Sequence, residues 1–195
     1  MSEIELVDKY NVSNAHVYDL QESIKASKYP MLVNIDSATS QITDTVVGLA
    51  SSNKGEGHDQ FLTGIIVSFD LTASNKMWVE AERYRFLYFV SSQSTMHRIA
   101  KFNIASQSIE NVDTEILNRL EEIKDEYIKN PTPENYLRLL YNIPSGFMLT
   151  ARLTTNYREL KTIYCQRKNH RLPEWRTFCK WIEELPSFKY LCLGE

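Results

Sequence analysis

Glycine-rich phosphate loops are missing from this 195-residue chain. Neither GxGxxG nor GxxxxGK[ST] occurs, and the GEGH stretch at 55–58 has only two glycines. The dinucleotide fingerprint and the P-loop are therefore excluded as routes to a bound phosphate. GxSxG is absent too, which leaves serine-hydrolase chemistry without support. The four histidines, His16, His58, His97 and His170, are scattered and form no HxxxH or HExxH pair, so no metal site is expected. Cysteine is scarce: Cys165, Cys179 and Cys192 fit neither a CxxC pair nor a zinc pattern. An odd cysteine count behind a charged start, MSEIELVDKY, predicts reduced thiols and a cytoplasmic setting, the host cytoplasm if the chain is viral. Long apolar runs are also lacking. The longest, such as FLTGIIVSFDL, is too short to span a membrane, so none is expected as a partner.

One-sided charge is absent as well. The formal net charge is −3 and no long run carries one sign, so broad electrostatic binding to nucleic acid is not expected. A local basic pocket for a small anion stays open, because a net count hides clusters. What is present is ordinary for a globular chain, 43% hydrophobic and 24% charged residues, and the length is enough for one domain with a substantial core or two small ones. With no repeat, low-complexity tract or Gly/Pro-rich linker, residues 1–195 read as a single domain.

Periodicity predicts a short strand over 3–8 and helices over 18–28 and 40–51. A mostly buried strand is expected in FLTGIIVSFDL, residues 61–71. Met77, Ala81, Tyr84 and Tyr88 fall on one stripe, which predicts a single helix over 73–89, broken by the polar VSSQSTMH. Further helices are expected over 113–129, 133–142, 156–168 and 173–184, several of them stopping at a proline. The balance is a helix-rich α+β fold with few strands.

Two stretches carry candidate chemistry. In NYRELKTIYCQRKNHRLPEW (156–175), Asn156 stands three residues before Glu159, a capping arrangement at a helix start. Leu160, Ile163 and Arg167 follow at i, i+3 and i+7, which puts a guanidinium on the apolar face. Such a group either finds a partner, a carboxylate of this protein or a bound phosphate, or snorkels its end to water. Arg158 points away from Arg167, so both would meet ligands only where both helix faces are covered, as in an oligomer. In the second stretch, Glu80, Arg83 and Arg85 precede the hydroxyl-rich Ser91, Ser92, Gln93 and Ser94. This suits either an anion such as a nucleotide phosphate or a solvated face of charge pairs.

Taken in order, these segments resemble the flavin-dependent thymidylate synthases, the ThyX family. GHDQFLTGIIVSFDLTASNKMWVEAERYR (57–85) is similar to the family block GHExxxEHxxFxF…QxxRHR. IPSGFMLTARLTTNYREL (143–160) is similar to LPxxxYTxxxWTxNxREL, and Arg167 follows Arg158 by the family's nine residues. The resemblance implies a ThyX-like fold with long central helices and a small antiparallel sheet. It also implies a homotetramer, bound FAD, a dUMP-like nucleotide, and NADPH with a folate carbon donor. By position it assigns His58, Arg83, Arg85, Asn156 and Arg158 to FAD, and Glu80, Arg83, Ser92, Ser94 and Arg167 to the nucleotide. Departures accompany it: Tyr84 stands for the central histidine of RHR, Glu80 for a glutamine, Ser92 for a glutamate, Thr162 for an asparagine and Gly64 for a histidine. One extra residue precedes Ser94. Two functions follow from this mixture. One is a flavin-dependent enzyme transferring a methyl or hydroxymethyl group to a pyrimidine nucleotide. The other is a non-catalytic ThyX-like protein that sequesters or senses a nucleotide, or acts through protein contacts.

Overall fold

The computed structural model describes residues 3–53 and 55–195. Along the chain run β1 (Glu3–Leu6), β2 (Val12–Tyr18), α1 (Leu20–Ala26), α2 (Asp44–Ala50), a 3-10 helix at His58–Gly64, β3 (Ile66–Ser74) and α3 (Asn75–Ala81). There follow β4 (Tyr88–Ser92), α4 (Thr95–Arg98), α5 (Thr114–Lys129), α6 (Pro133–Tyr141), β5 (Met148–Asn156), α7 (Tyr157–Arg167) and α8 (Pro173–Glu183). The fold is thus helix-rich α+β. Among the described residues the strands form a five-stranded sheet of order β1-β2-β3-β5-β4. β1 and β2 pair antiparallel, with Glu3 opposite Tyr18, and β2 and β3 pair antiparallel, with Tyr18 opposite Ile66.

Local chemistry starts and stops these elements. Thr132 caps α6 ahead of Pro133, whose missing N–H costs nothing at the first helical position. Ser74 Oγ accepts from Met77 N at 3.2 Å and turns β3 into α3. Asn156 Oδ1 accepts from Glu159 N at 3.0 Å and turns β5 into α7, as the capping pattern predicted.

The chain divides into two compact units. The first comprises Met1–Leu71, Tyr84–Val90 and Arg152–Glu195. Its core gathers Val67, Phe69, Leu160, Ile163, Trp175, Phe178 and Trp181, all buried. Phe178 stacks on Trp181 at 5.3 Å and Phe69 meets Trp181 at 4.7 Å, a packing worth more than its area alone. The second comprises Thr72–Arg83 and Ser91–Ala151. It has its own core of Ile99, Ile104, Leu120, Ile123, Leu139 and Phe147.

Four strands and a helix end differ from expectation. The stripe over 73–89 gives a helix only as far as Ala81; Tyr84 is buried beyond it, and Tyr88 opens β4 with 55% of its surface exposed. β4 is exposed at every residue, so it leaves no alternation to read. In β2 the buried residues are Val12, Ala15 and Val17. A register shift between Ser13 and His16, with Asn14 at φ 49°, breaks the two-residue period. β5 does alternate, burying Ala151, Leu153 and Thr155, though the expected elements contained no strand there. The strand foreseen over 61–71 begins at Ile66, after the 3-10 helix.

Candidate functional site in the first unit

α7 sets out two kinds of side chain. Its core face buries Tyr157, Leu160, Ile163 and Tyr164. On another face Arg158, Thr162 and Gln166 recur at i, i+4 and i+8, and with Asn156 they line a cleft of about 700 Å3. Asp59, Gln60 and Thr63 of the 3-10 helix, together with Phe86, also line it. This size lies within the roughly 300–1,000 Å3 of small-molecule sites.

Arg158, one of two cationic side chains that line the cleft together with Lys161, is held by the cleft's own wall. Arg158 Nη1 donates to Gln60 Oε1 at 2.8 Å, and Arg158 Nη2 stands 2.9 Å from Asp59 Oδ1. Oδ1 is buried without an aligned donor, so the second contact is charge attraction rather than a directed hydrogen bond. The Arg158 side chain is 34% exposed, which leaves N–H edges for a ligand. Asn156 spends its Oδ1 on the helix cap, and its amide N–H2 remains for the cleft. Burial raises the Glu159 carboxyl above the usual carboxylate range, opposed by the Phe86 backbone N–H.

Arg167, at the last turn of α7, has a different setting. Its Nε donates to the Tyr84 hydroxyl at 2.7 Å, and its Nη1 stands 2.8 Å from His170 Nε2. The guanidinium lies 4.8 Å from the Trp175 ring and 5.5 Å from the Tyr84 ring, within cation–π range of both. Tyr84 in turn donates to Gln166 Oε1 at 3.0 Å. Burial pushes the Tyr84 phenol up, and the Arg167 hydrogen bond works against it.

No family model matches the sequence, and no curated protein does either. Among solved structures, thymidylate synthase X from Helicobacter pylori with FAD and dUMP superposes with a TM-score of 0.73, covering 92% of this chain and 95% of that one at 16% identity. A second structure of the flavin-dependent thymidylate synthase ThyX from the same organism, complexed with FAD and dUMP, gives 0.71 over 100% and 99% at 13% identity. The fold is that of ThyX.

On this ThyX fold the candidate residues have uneven surroundings. In the first unit Asn156 and Arg158 share the cleft, His58 is exposed at the start of its 3-10 helix, and Arg85 is exposed with its guanidinium 5.7 Å from the Phe86 ring. In the second unit Arg83 and Ser92 are exposed and Ser94 is half-buried ahead of α4. Glu80 there is 18% exposed, with its carboxylate 3.7 Å from Lys76 Nζ.

Motif reasoning did not name Asp59, Gln60 or Gln166, nor Tyr84 as the partner of Arg167. The i, i+4, i+8 spacing from Arg158 to Gln166 was a readable signal for one of them. The pairing of Tyr84 with Arg167 spans 83 residues of chain and leaves no local trace. Among the described residues no helix is long and apolar enough to cross a membrane, and no cluster of three His, Cys, Asp or Glu side chains is placed to hold a metal.

Proposed function

We propose that this protein is a flavin-dependent enzyme that transfers a methyl or hydroxymethyl group to a dUMP-like pyrimidine nucleotide. The observation that carries the reading is the α7 cleft, where Asn156 and Arg158 stand together on a fold whose solved neighbours hold FAD and dUMP.

The residues present suit FAD. The cleft is large enough, and Arg158, Asn156, Gln60 and Thr162 give it oriented polar groups for phosphate, ribose or ring acceptors. Asp59 beside Arg158 keeps the guanidinium fixed and tempers its charge, so recognition rests on directed hydrogen bonds more than on net attraction. When bound, the flavin supplies the redox chemistry, with NADPH as reductant and a folate as carbon donor. The chain's residues bind and orient. Arg83, Arg85 and His58 add flavin contacts from their exposed positions. By position in the resemblance Arg167 meets the nucleotide phosphate and Arg83, Ser92 and Ser94 offer the nucleotide hydrogen-bond donors, whereas Glu80 is an acceptor and can meet only a donor group of the nucleotide.

Assembly of four copies fits this reading. Tyr88, Phe89 and Val90 of β4 expose 55%, 40% and 63% of their surfaces on the last strand of the sheet, an edge that another copy would cover. An interface between copies would also account for ligand groups on both faces of α7. The 195 residues then act as a single functional domain, in the cytoplasm.

The test is the visible spectrum of the purified protein, followed by titration with FAD. A yellow protein, or one that takes up FAD and has it reduced by NADPH, supports the enzyme. Nucleotide binding by calorimetry with no flavin uptake would replace it with the nucleotide-sequestering reading. Light scattering at the mass of one chain would remove the tetramer.

A further inference from the structure

Hydrogen-bond polarity fixes what one wall of the α7 cleft presents. Arg167 Nε can only donate, and it donates to the Tyr84 oxygen at 2.7 Å. Tyr84 has a single hydroxyl hydrogen. It goes to Gln166, 3.0 Å away, so the carboxamide atom turned toward Tyr84 is Oε1. Turning the amide over would set Nε2–H2 against a phenol oxygen already accepting from Arg167, and would leave the hydroxyl hydrogen of a residue only 7% exposed without this acceptor. The Tyr84 ring is itself held edge-on against buried Trp175 at 5.8 Å. Gln166 lines the cleft, and with Oε1 committed, what it has to offer there is Nε2–H2.

We propose that Gln166 is a specificity-determining residue of this cleft, reading a hydrogen-bond acceptor of the ligand, a carbonyl oxygen or an unprotonated ring nitrogen. Tyr84 is the positioning residue that fixes the polarity of Gln166. The chain Arg167–Tyr84–Gln166 thereby ties the orientation of the amide to the guanidinium at the end of α7. The proposal rests on the cleft being the ligand site argued above, and it adds to that site a donor absent from the residues assigned by resemblance.

The experiment is an FAD titration, followed by flavin fluorescence, of the wild type, Y84F, Q166L, Q166E and Y84F/Q166L. It is paired with 15N spectra of the Gln166 side-chain amide, assigned by its loss in Q166L. Q166L should weaken FAD about tenfold, the order expected for one lost hydrogen bond in a partly desolvated site. Q166E should weaken it further, because a carboxylate offers only acceptors. Y84F should weaken it less than Q166L, and the double variant should match Q166L, because Tyr84 acts through the amide; a merely structural Tyr84 would give additive losses. Equal FAD affinity in wild type and Q166L overturns the Gln166 role and leaves the flavin reading intact. A wild type that takes up no FAD, but whose Gln166 amide resonances shift with dUMP, overturns the flavin reading and supports Gln166 as a nucleotide reader. Resonances unmoved by either ligand overturn the proposal, and additive variants overturn the positioning role of Tyr84.

Discussion

The Tyr84 hydroxyl accepts a hydrogen bond from Arg167 Nε at 2.7 Å, joining the turn after α3 to the last turn of α7. The phenol is thereby turned to the chain's own arginine. A phenol oxygen, an imidazole nitrogen of His170 and the Trp175 ring are among the groups that orient this guanidinium.

Arg167→Ala should destabilise the fold by about 1–3 kcal/mol, from the lost cation–π contact and the Tyr84 hydroxyl left without its donor. Arg167→Lys keeps the charge but not the planar fork, and should fall between the alanine variant and the wild type. Urea denaturation followed by tryptophan fluorescence measures both. Equal stability of all three proteins would show that the contacts contribute nothing.

Asp59 is 7% exposed and faces Arg158 at 2.9 Å. Arg158→Ala strands that carboxylate and should cost about 1–3 kcal/mol. The double variant D59N/R158A should recover part of the loss, since a neutral amide is cheaper to bury than a lone charge. Thermal melts of the two single variants and the double variant close the cycle, and strict additivity would deny the coupling.

Cys165 is exposed while Cys179 and Cys192 are buried. A thiol reagent at neutral pH should therefore modify one cysteine quickly in the native protein and the other two only on unfolding. Mass spectrometry of the labelled peptides identifies the fast site. Rapid labelling of Cys179 or Cys192 would contradict the packing.

Burial pushes both the Cys179 and the Cys192 thiols from the usual 9.0 up to about 12. Below pH 9.0 the folded and unfolded chains both keep these protons, and the stability is fully present. Between 9.0 and about 12 only the unfolded chain loses them, so stability falls as pH rises through that window. The slope approaches about 1.4 kcal/mol per pH unit for each thiol as an upper limit. Denaturant midpoints measured from pH 8 upward should decline in wild type and decline less steeply in Cys192→Ala.

Phe147 is fully buried in the core of the second unit and meets the Phe102 ring edge-on at 5.6 Å. Phe147→Ala should cost about 3–5 kcal/mol, by lost burial and the cavity left behind. A chemical denaturation curve would show it, and a loss under 1 kcal/mol would mean that Ile104 and Leu139 close the gap.

What the sequence by itself determined are the features written in neighbouring residues. The proline stops, the Asn156–Glu159 cap and the 3.6-residue stripes placed α5, α6, α7 and α8 within a residue or two. The order of the motif blocks pointed to the ThyX fold that the superpositions bear out. Only the tertiary structure decided the rest. β2 hid because its bulge broke the alternation, and β4 hid because no residue in it is buried. The cleft brings Asp59 and Gln60 to Arg158 across some hundred residues, and Tyr84 to Arg167 across 83. Periodicity reports which side of an element meets the core. It holds nothing about which distant side chain arrives there, because that depends on how whole elements pack, and a hydrogen bond between them has no sequence period.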